Sequence, residues 1–254
     1  MGGGALHGGH TGHHVTHHHH RWAAQLFLVD GVLQVTQGGD RVALVRQAGV
    51  LDDGHRGAGG QAAEQAVLDV GGQRPSDEQA AYVIGMALGP ALAHAAPDVP
   101  REKHAELSNR YRYHYLKLQA QVTLFAGIEP LLHELRGRGH YLAVATGKSR
   151  VGLNSALEQA QLGPVFDATR TADETAGKPH PLMLQELMAE LDVPPERVLM
   201  IGDTTHDLLM ARNAGCASVG VSYGAHNAAA FAQCAPLFTA DTVPQLRDWL
   251  LMQG

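Results

Sequence analysis

Residues suited to phosphate and metal chemistry stand at three separate places in the chain. A threonine hydroxyl beside the free amides of a Gly-containing turn makes an anion cradle, because unpaired N–H groups at a helix start face the ligand. A lysine adds a mobile positive charge for phosphate oxygens, and carboxylates supply the hard oxygens that Mg²⁺ prefers. Such a set predicts a magnesium-assisted phosphoryl-transfer site. Its members are Thr146 at the end of YLAVAT with Gly147 directly after it, Lys178 in GKP, and Asp203 and Asp207 in GDTTHD.

The segments that carry these residues alternate between strand-like and helix-like patterns. Short apolar runs are typical of strands buried on both faces of a sheet, and the stretches between them have helical periodicity. This alternation with short links predicts an α/β fold with a doubly wound parallel sheet and helices on both faces. Ligands of such sheets bind at the carboxyl ends of the strands. The predicted strands are YLAVAT, VFDATR, RVLMIGD, ASVGVSY and LFTAD.

Residues 75–122 have helical patterns without this alternation. Ser76, followed by two acidic residues, is typical of a helix N-terminus, and REKHAELSNRYRYHYLKLQ continues with helical periodicity. We therefore predict a small helical cap at 75–122 that interrupts a core made of residues 25–74 and 123–254.

The first 73 residues differ in composition from the rest of the chain. They hold sixteen of the thirty glycines and nine of the seventeen histidines, yet contain no Lys, Ser, Pro, Asn, Ile, Tyr or Cys. Residues 1–24 have no apolar periodicity that could bury a face, which predicts a disordered Gly/His-rich tail. The runs LFLVDGVLQV and VALV that follow are short and separated by Gly-rich, turn-prone segments, so we predict a strand there.

Composition also excludes several classes of protein. Nineteen Lys and Arg against twenty-five Asp and Glu give a formal net charge of -6, which argues against nucleic-acid binding. Neither an apolar run of membrane-spanning length nor a signal-peptide pattern occurs, so we expect a cytoplasmic protein without a membrane partner. Cys216 and Cys234 are too few for a disulfide framework and are predicted to be reduced. The sequence carries no signal for an oligomeric state.

The strings ATGKSR, ADETAGKPHP and MIGDTTHDL, in this order, resemble motifs two, three and four of the haloacid dehalogenase superfamily. The branch they resemble most is that of the phosphoglycolate phosphatases. The resemblance covers about residues 75–250, and it implies a Rossmann-like core with a small helical cap.

The resemblance also implies a role for each residue of the set. Thr146 and Gly147 would bind the phosphoryl group of the substrate, and Lys178 would neutralise that group and the nucleophile. Asp203 would ligate Mg²⁺, and Asp207 would support either the ion or Lys178.

The first motif of the family, DxDGT, is absent from the chain. Its first Asp attacks phosphorus, and its second protonates the leaving alcohol and then activates water. One partial match, FLVDGVL, retains the second carboxylate as Asp30 but has Leu28 at the position of the nucleophile. The other, VRQAGVL, has the family's spacing before the cap but carries Arg46 and Ala48 in place of the carboxylates. Asp30 is therefore the surviving acid/base candidate.

Two hypotheses explain this departure. The chain is a pseudoenzyme that retains phosphate and metal ligands, or residues 1 to about 60 are an altered or wrongly framed segment joined to an otherwise intact phosphatase. The missing residue types at 1–73 favour the second hypothesis, because a decayed paralogue would retain an ordinary composition.

The leading functional hypothesis is a Mg²⁺-dependent phosphatase for a small phosphomonoester, such as 2-phosphoglycolate, with a degenerate first motif. The alternative is a non-catalytic pseudophosphatase that binds a phosphorylated metabolite or a protein partner. A dehalogenase is a third hypothesis, to which the Thr, Lys and Asp set is less suited. Two residues near the set have simpler interpretations: Asp207 as a helix-starting carboxylate, and His206 as a solvent-facing loop residue.

Overall fold

A computed structural model describes residues 31–32, 43–46, 57–119 and 124–253. The predicted tail and three first-motif candidates lie outside the described residues: 1–24, Leu28, Asp30 and Ala48. No helix in the described part is long and apolar enough to cross a membrane.

A seven-stranded sheet forms the centre of the described part. Its strands are β1 (Gly31–Val32), β2 (Ala43–Arg46), β3 (Tyr141–Thr146), β4 (Ala168–Thr171), β5 (Val198–Gly202), β6 (Ala217–Val221) and β7 (Phe238–Ala240). They lie in the order β4-β3-β1-β2-β5-β6-β7. Adjacent strands pair in parallel at β3–β4, β2–β5, β5–β6 and β6–β7, whereas β1 is antiparallel to each strand it pairs with. The predicted parallel α/β sheet is confirmed, with β1 as a departure.

Helices follow the strands at nearly every position where the sequence predicts them. The α-helices of the described part are α1 (Gly57–Asp69), α2 (Asp77–Tyr82), α3 (Leu88–Ala95), α4 (His104–Gln119), α5 (Ile128–Gly137), α6 (Arg150–Gln159), α7 (Leu182–Leu191), α8 (Thr205–Asn213) and α9 (Val243–Gln253). HNAAAFAQCA, predicted as a helix, instead contains a 3-10 segment at Ala228–Cys234.

The side chains of β3 alternate strictly between two apolar clusters, one on each face of the sheet. Leu142 and Val144 pack in a cluster with α5, α6 and α9. Ala143 and Ala145 pack in the other cluster with α7 and α8. The strand β5 divides in the same way. Because both faces are covered by helices, these strands are apolar at every position rather than at every second one.

The register of the sheet brings the ends of β3 and β5 to the same level. Val32 of β1 pairs with Ala143 of β3 and with Met200 of β5. Thr146 and Asp203 each lie three residues further along their chains. The predicted phosphate-binding threonine and the predicted metal-binding aspartate therefore lie at the same edge of the sheet, where ligands of such folds bind.

The helix α1 belongs by its contacts to the helical segment. It packs along α4, and apolar residues of α1, α3 and α4, Ala66, Val67, Leu92 and Leu107 among them, form one buried cluster. The sequence analysis assigned no helix at 57–69. From these contacts we propose a cap that starts near residue 57 rather than at 75.

Both cysteines are buried and free of disulfides, as predicted. Burial is the main cause that raises the pKa of the Cys216 thiol to about 12. Within the described part these thiols behave as small apolar side chains of the core.

Candidate active site

The loop after β3 forms one side of the candidate site. Thr146 is fully buried at the end of the strand, and its Oγ1 accepts a 2.9 Å hydrogen bond from the backbone N–H of Lys148. A hydroxyl that accepts one hydrogen bond still carries a proton that it can donate. Ser149 caps the following helix α6 by accepting a hydrogen bond from Gly152 N–H. The loop thus joins a hydroxyl donor to a helix N-terminus.

Gly147 lies directly against the backbone of the cap. A Cβ at this position would lie 2.5 Å from the carbonyl oxygen of Met86 and 2.6 Å from that of Gly85. On the third motif, a Cβ added to Gly177 would lie 3.1 Å from Cβ of Ala87. The turn between α2 and α3 therefore contacts both motif loops. Its carbonyl oxygens leave no room for a Cβ at position 147, so only glycine fits there.

Gly147→Ala is expected to disturb docking of the cap without unfolding the core. Backbone carbonyls cannot move out of the way as side chains do, so the cap must shift as a unit at a cost of about 1–3 kcal/mol. Limited proteolysis and hydrogen exchange at residues 85–87 measure this, with faster cleavage and exchange expected.

Gly137→Ala is the matched control, since a Cβ at Gly137 meets nothing within 4 Å. Unchanged exchange at 85–87 in Gly147→Ala would show that the cap does not dock on this glycine.

Asp203 is buried at the end of β5 and is held by the loop after β6. Its Oδ2 accepts a 2.9 Å hydrogen bond from Ala225 N–H, and its carbonyl oxygen accepts a 3.0 Å bond from His226 N–H. A Cβ at Gly224 would lie 2.0 Å from Cβ of Asp203, so only glycine allows this approach. The carboxylate is fixed in place before any ligand arrives.

Asp207 and Lys178 form a fully buried ion pair. The Nζ atom of Lys178 lies 2.9 Å from Oδ1 of Asp207, and both side chains are 0% exposed. The other oxygen, Oδ2, accepts hydrogen bonds from the backbone N–H and the hydroxyl of Thr204, which caps α8. Asp207 therefore contacts Lys178 directly and also belongs to the capping box of α8.

The loop of Lys178 is also tied to α8 at the far end of the helix. Asn213 donates from Nδ2 to the carbonyl oxygen of Pro179 over 2.9 Å. Two contacts, one at each end of α8, therefore set where the lysine ammonium stands. Gly202 permits the first of them, because a Cβ there would lie 2.2 Å from Cβ of Asp207.

Lys148 connects the loop after β3 to the cap helix α4. Its Nζ donates a 2.6 Å hydrogen bond to the hydroxyl of Tyr115, whose ring stacks on Tyr111 at a centroid distance of 5.8 Å. Burial, followed by the neighbouring Tyr115, raises the pKa of the Tyr111 phenol. The cap thus meets the core at a second place beside Thr146.

His206 is buried, so the prediction of a solvent-facing loop residue was wrong. It lies in the first turn of α8, 4% exposed, and its Nε2 is 2.8 Å from the carbonyl oxygen of Tyr82 in the cap. Its pKa is lowered, mainly because burial disfavours the charged ring. The partner lies 124 residues away in the chain, which no local pattern indicates.

The donor set at this edge is compatible with Mg²⁺. Mg²⁺ is bound by one or two carboxylates and keeps waters or substrate oxygens for its remaining positions. The described residues contain no group of three or more His, Cys, Asp and Glu side chains that could hold a metal by themselves, and Asp203 and Asp207 are the carboxylates that follow β5. Because Asp207 binds Lys178 and Thr204, Asp203 is the stronger candidate for the ion.

The structure brings some of the predicted residues into contact and leaves others apart. Lys178 contacts Asp207 directly, Gly147 meets the cap, and Thr146 lies level with Asp203 across the sheet. Asp30 lies outside the described residues. Residues that support the site but were not found from the sequence are Tyr82, Gly202, Asn213, Gly224, Ala225 and His226.

A sequence model of the haloacid dehalogenase-like hydrolases matches residues 58–221, more than half of the 254 residues. The chain belongs to this family. In this haloacid dehalogenase-like hydrolase, helix α1, the cap and the three motif loops lie within the matched residues. Both candidates for the first motif precede them. The resemblance to motifs two, three and four is confirmed at the level of the family.

The relatives of this haloacid dehalogenase-like hydrolase are phosphatases by name. The phosphoglycolate phosphatase of Vibrio vulnificus (strain CMCP6) is 30% identical over 202 residues, 76% of this chain and 89% of the relative. The "Probable phosphatase IndB" of Dickeya dadantii is 40% identical over 129 residues, 50% of this chain and 56% of the relative. The pyrophosphatase PpaX of Bacillus cereus (strain B4264) is 29% identical over 161 residues, 63% of this chain and 74% of the relative.

Solved structures of the family share the fold. A hydrolase from Pseudomonas syringae superposes with a TM-score of 0.69 at 21% identity, covering 77% of this chain and 91% of that one. A haloacid dehalogenase-like family hydrolase from Streptococcus pneumoniae superposes with a TM-score of 0.67 at 20% identity, covering 91% of this chain and 99% of that one.

Proposed function

We propose that this haloacid dehalogenase-like hydrolase is built as a Mg²⁺-dependent phosphatase for small phosphomonoesters, 2-phosphoglycolate among them. The observation that carries the proposal is the buried Lys178–Asp207 ion pair at the sheet edge where Asp203 follows β5. A buried cation is costly unless it is paired, so its retention at a ligand-binding edge favours a role for it with an anionic substrate. The similarity to the Vibrio phosphoglycolate phosphatase supports the choice of substrate class.

Each residue of the site has a part in binding the phosphoryl group. The hydroxyl of Thr146 and the N–H groups of the loop that begins at Gly147 donate hydrogen bonds to phosphoryl oxygens. Lys178, held by Asp207, supplies a fixed positive charge to the same oxygens, and such preorganised charge is worth most in a water-excluded site. Asp203 would hold Mg²⁺, which would supply further neutralisation of the phosphoryl charge.

The cap excludes water and contacts the remainder of the substrate. Its turn at residues 85–87 touches both motif loops, and Tyr115 reaches Lys148 beside Thr146. Closing a phosphoryl-transfer site against water strengthens the electrostatic interactions inside it. The choice among phosphomonoesters is therefore assigned to cap residues at this interface.

A second candidate function is a pseudophosphatase that binds a phosphorylated metabolite or a protein partner without hydrolysis. The residues at the first motif favour it, since Leu28 or Arg46 occupies the position of the nucleophile. Both candidates require the same Thr146, Lys178 and Asp203 site, so binding experiments test the site and turnover distinguishes the two functions.

Mg²⁺ is expected to stabilise the folded protein, and Asp203→Asn is expected to abolish that stabilisation. A ligand that binds only the folded state adds about 2.7 kcal/mol when it is present at about 100 times its Kd. Thermal unfolding with and without Mg²⁺, and with 2-phosphoglycolate added, measures the effect.

The control for this measurement is Asp248→Asn, which removes a carboxylate that is 67% exposed on α9. It should keep the full response to Mg²⁺. A response that survives Asp203→Asn would contradict the assignment of the metal ligand.

A further inference from the structure

The carbonyl oxygen of Tyr82 joins the cap to the core through two imidazoles. Nε2 of His206 lies 2.8 Å from this oxygen and Nε2 of His226 lies 3.2 Å from it. A carbonyl only accepts, so both Nε2 atoms carry the proton and donate. The last carbonyls of a helix have no partner within the helix, and at the end of α2 that vacancy is filled by side chains of the core.

On the core side, the same histidines lie next to the carboxylates of the candidate metal site. His206 stands between Asp203 and Asp207 in sequence. His226 donates its own N–H to the carbonyl oxygen of Asp203 over 3.0 Å, and its Nδ1 accepts the N–H of Thr205 over 3.1 Å. His226 is therefore bound to the backbone of Asp203 and to that of Thr205.

The contacts of His226 require a neutral ring. Nδ1 of His226 accepts an N–H, so it is unprotonated, and burial is the main cause that lowers the pKa of His226 to about 4. The ring of Tyr82 also packs on both imidazoles, with centroid distances of 4.9 Å to His206 and 6.0 Å to His226. A third ring contact of Tyr82 is with His94 of the cap, at a centroid distance of 4.7 Å.

We propose that His206 and His226 are positioning residues that couple docking of the cap to metal binding at Asp203. The inference rests on the proposed function to the extent that Asp203 is taken as the Mg²⁺ ligand. Coupling between two sites is reciprocal, so Mg²⁺ at Asp203 favours the docked cap, and the docked cap raises the affinity for Mg²⁺ by the same factor.

A purely structural junction would hold the cap whether or not metal is present. Here the position of the histidines depends on that of Asp203. Ala225 binds the side chain of Asp203 and His226 binds its backbone carbonyl, so the loop that carries His226 shifts when Asp203 shifts. A small change in the position of Asp203 is therefore transmitted to the two Nε2–H donors and so to the carbonyl of Tyr82.

Two substitutions of His226 separate its two bonds. Asn places an oxygen near the position of Nδ1, so His226→Asn keeps the acceptor for Thr205 N–H and loses the donor to Tyr82. Gln places its amide nitrogen near the position of Nε2, so His226→Gln keeps the donor to Tyr82 and loses the acceptor. His206→Gln likewise keeps the donor of His206.

The experiment is hydrogen exchange of cap residues 77–95 in the full chain, with and without Mg²⁺, together with titration of Mg²⁺ binding. In the unmodified protein Mg²⁺ should slow exchange in this segment by at least about 5-fold, the lower end of typical coupling. His226→Asn should exchange faster without metal, lose the slowing by Mg²⁺ and bind Mg²⁺ more weakly by the same factor. His226→Gln and His206→Gln should retain most of the response.

His133→Asn is the control, because His133 is exposed on α5 and belongs to no part of this junction. Mg²⁺-dependent slowing that persists in His226→Asn would overturn the coupling. So would a protein that is stabilised by Mg²⁺ through Asp203 but shows no change in cap exchange, and that result would leave the proposed function standing. Absence of any Mg²⁺ stabilisation would overturn both.

Discussion

Purified protein of the present sequence is expected to release no phosphate above background from 2-phosphoglycolate in Mg²⁺, whereas Arg46→Asp combined with Ala48→Asp is expected to raise release by at least about 100-fold. The covalent step needs a carboxylate nucleophile and a second carboxylate as acid and base. Neither candidate for the first motif carries both.

The register of the sheet favours positions 46 and 48, rather than 28 and 30, as the site of the two first-motif carboxylates. The strand β2 runs parallel to β5, with Arg46 level with Ile201, two residues before Asp203. Because β2 is parallel to β5, carboxylates at positions 46 and 48 would lie at the carboxyl end of β2, at the same edge of the sheet as Asp203. The strand β1, which follows Asp30, runs antiparallel to β3 and β5 instead.

Colorimetric phosphate release from 2-phosphoglycolate checks this prediction. Arg46→Asn with Ala48→Asn removes the arginine without adding charge and should stay inactive, and Asp203→Asn in the restored protein should return it to background. Turnover restored by Leu28→Asp alone would assign the first motif to the earlier match. Robust Mg²⁺-dependent turnover by the unmodified chain, lost in Asp203→Ala, would mean that another carboxylate acts as the nucleophile.

The parallel sheet could be predicted from the sequence because burial on both faces leaves a strong local signal. The strings LAVA (142–145) and VLMIG (198–202) are apolar throughout, and the structure divides their side chains between two helical layers. Ser76 and its acidic neighbours likewise predict a helix start, and the structure shows the corresponding capping box with Gln79. Such signals depend on residues within one turn or one strand, so no tertiary information is needed.

The helix α1 was missed because its glycines indicated turns more strongly than its apolar spacing indicated a helix. Ala62, Ala63, Ala66, Val67 and Val70 recur at helical spacing and are all buried. Packing along α4 outweighs the low helix propensity of Gly57, Gly59 and Gly60, as tertiary contacts commonly do. The family match that begins at residue 58 shows that ordinary family sequence starts earlier than the composition boundary at 73.

The supports of the site could not be predicted, since their partners are distant in the chain. Asp203 depends on Gly224 and Ala225, and His206 depends on a backbone carbonyl of the cap. The motif strings indicate which carboxylates and cations converge. They carry no signal for the backbone groups of other loops that receive them.

Lys178→Met is expected to lower the free energy of unfolding by about 3–5 kcal/mol, because it leaves the carboxylate of Asp207 buried without its cation. The pair is 2.9 Å apart with both side chains 0% exposed, so water cannot replace the lost partner. Asp207→Asn removes the charge and retains an oxygen that can accept from Thr204. The double variant Lys178→Met with Asp207→Asn should therefore be less destabilised than the sum of the two single variants.

Chemical denaturation of the four proteins gives the coupling energy, and Lys117→Met provides the control. Lys117 is an exposed lysine of α4 whose ammonium lies 4.1 Å from the ring centroid of Tyr113, so its removal should change stability by no more than about 0.5 kcal/mol. Additive losses in the double variant would show that the buried pair contributes no specific interaction. In that case Asp207 acts only as the partner of Thr204 in the capping box of α8, and the charge of Lys178 is held in place by other contacts.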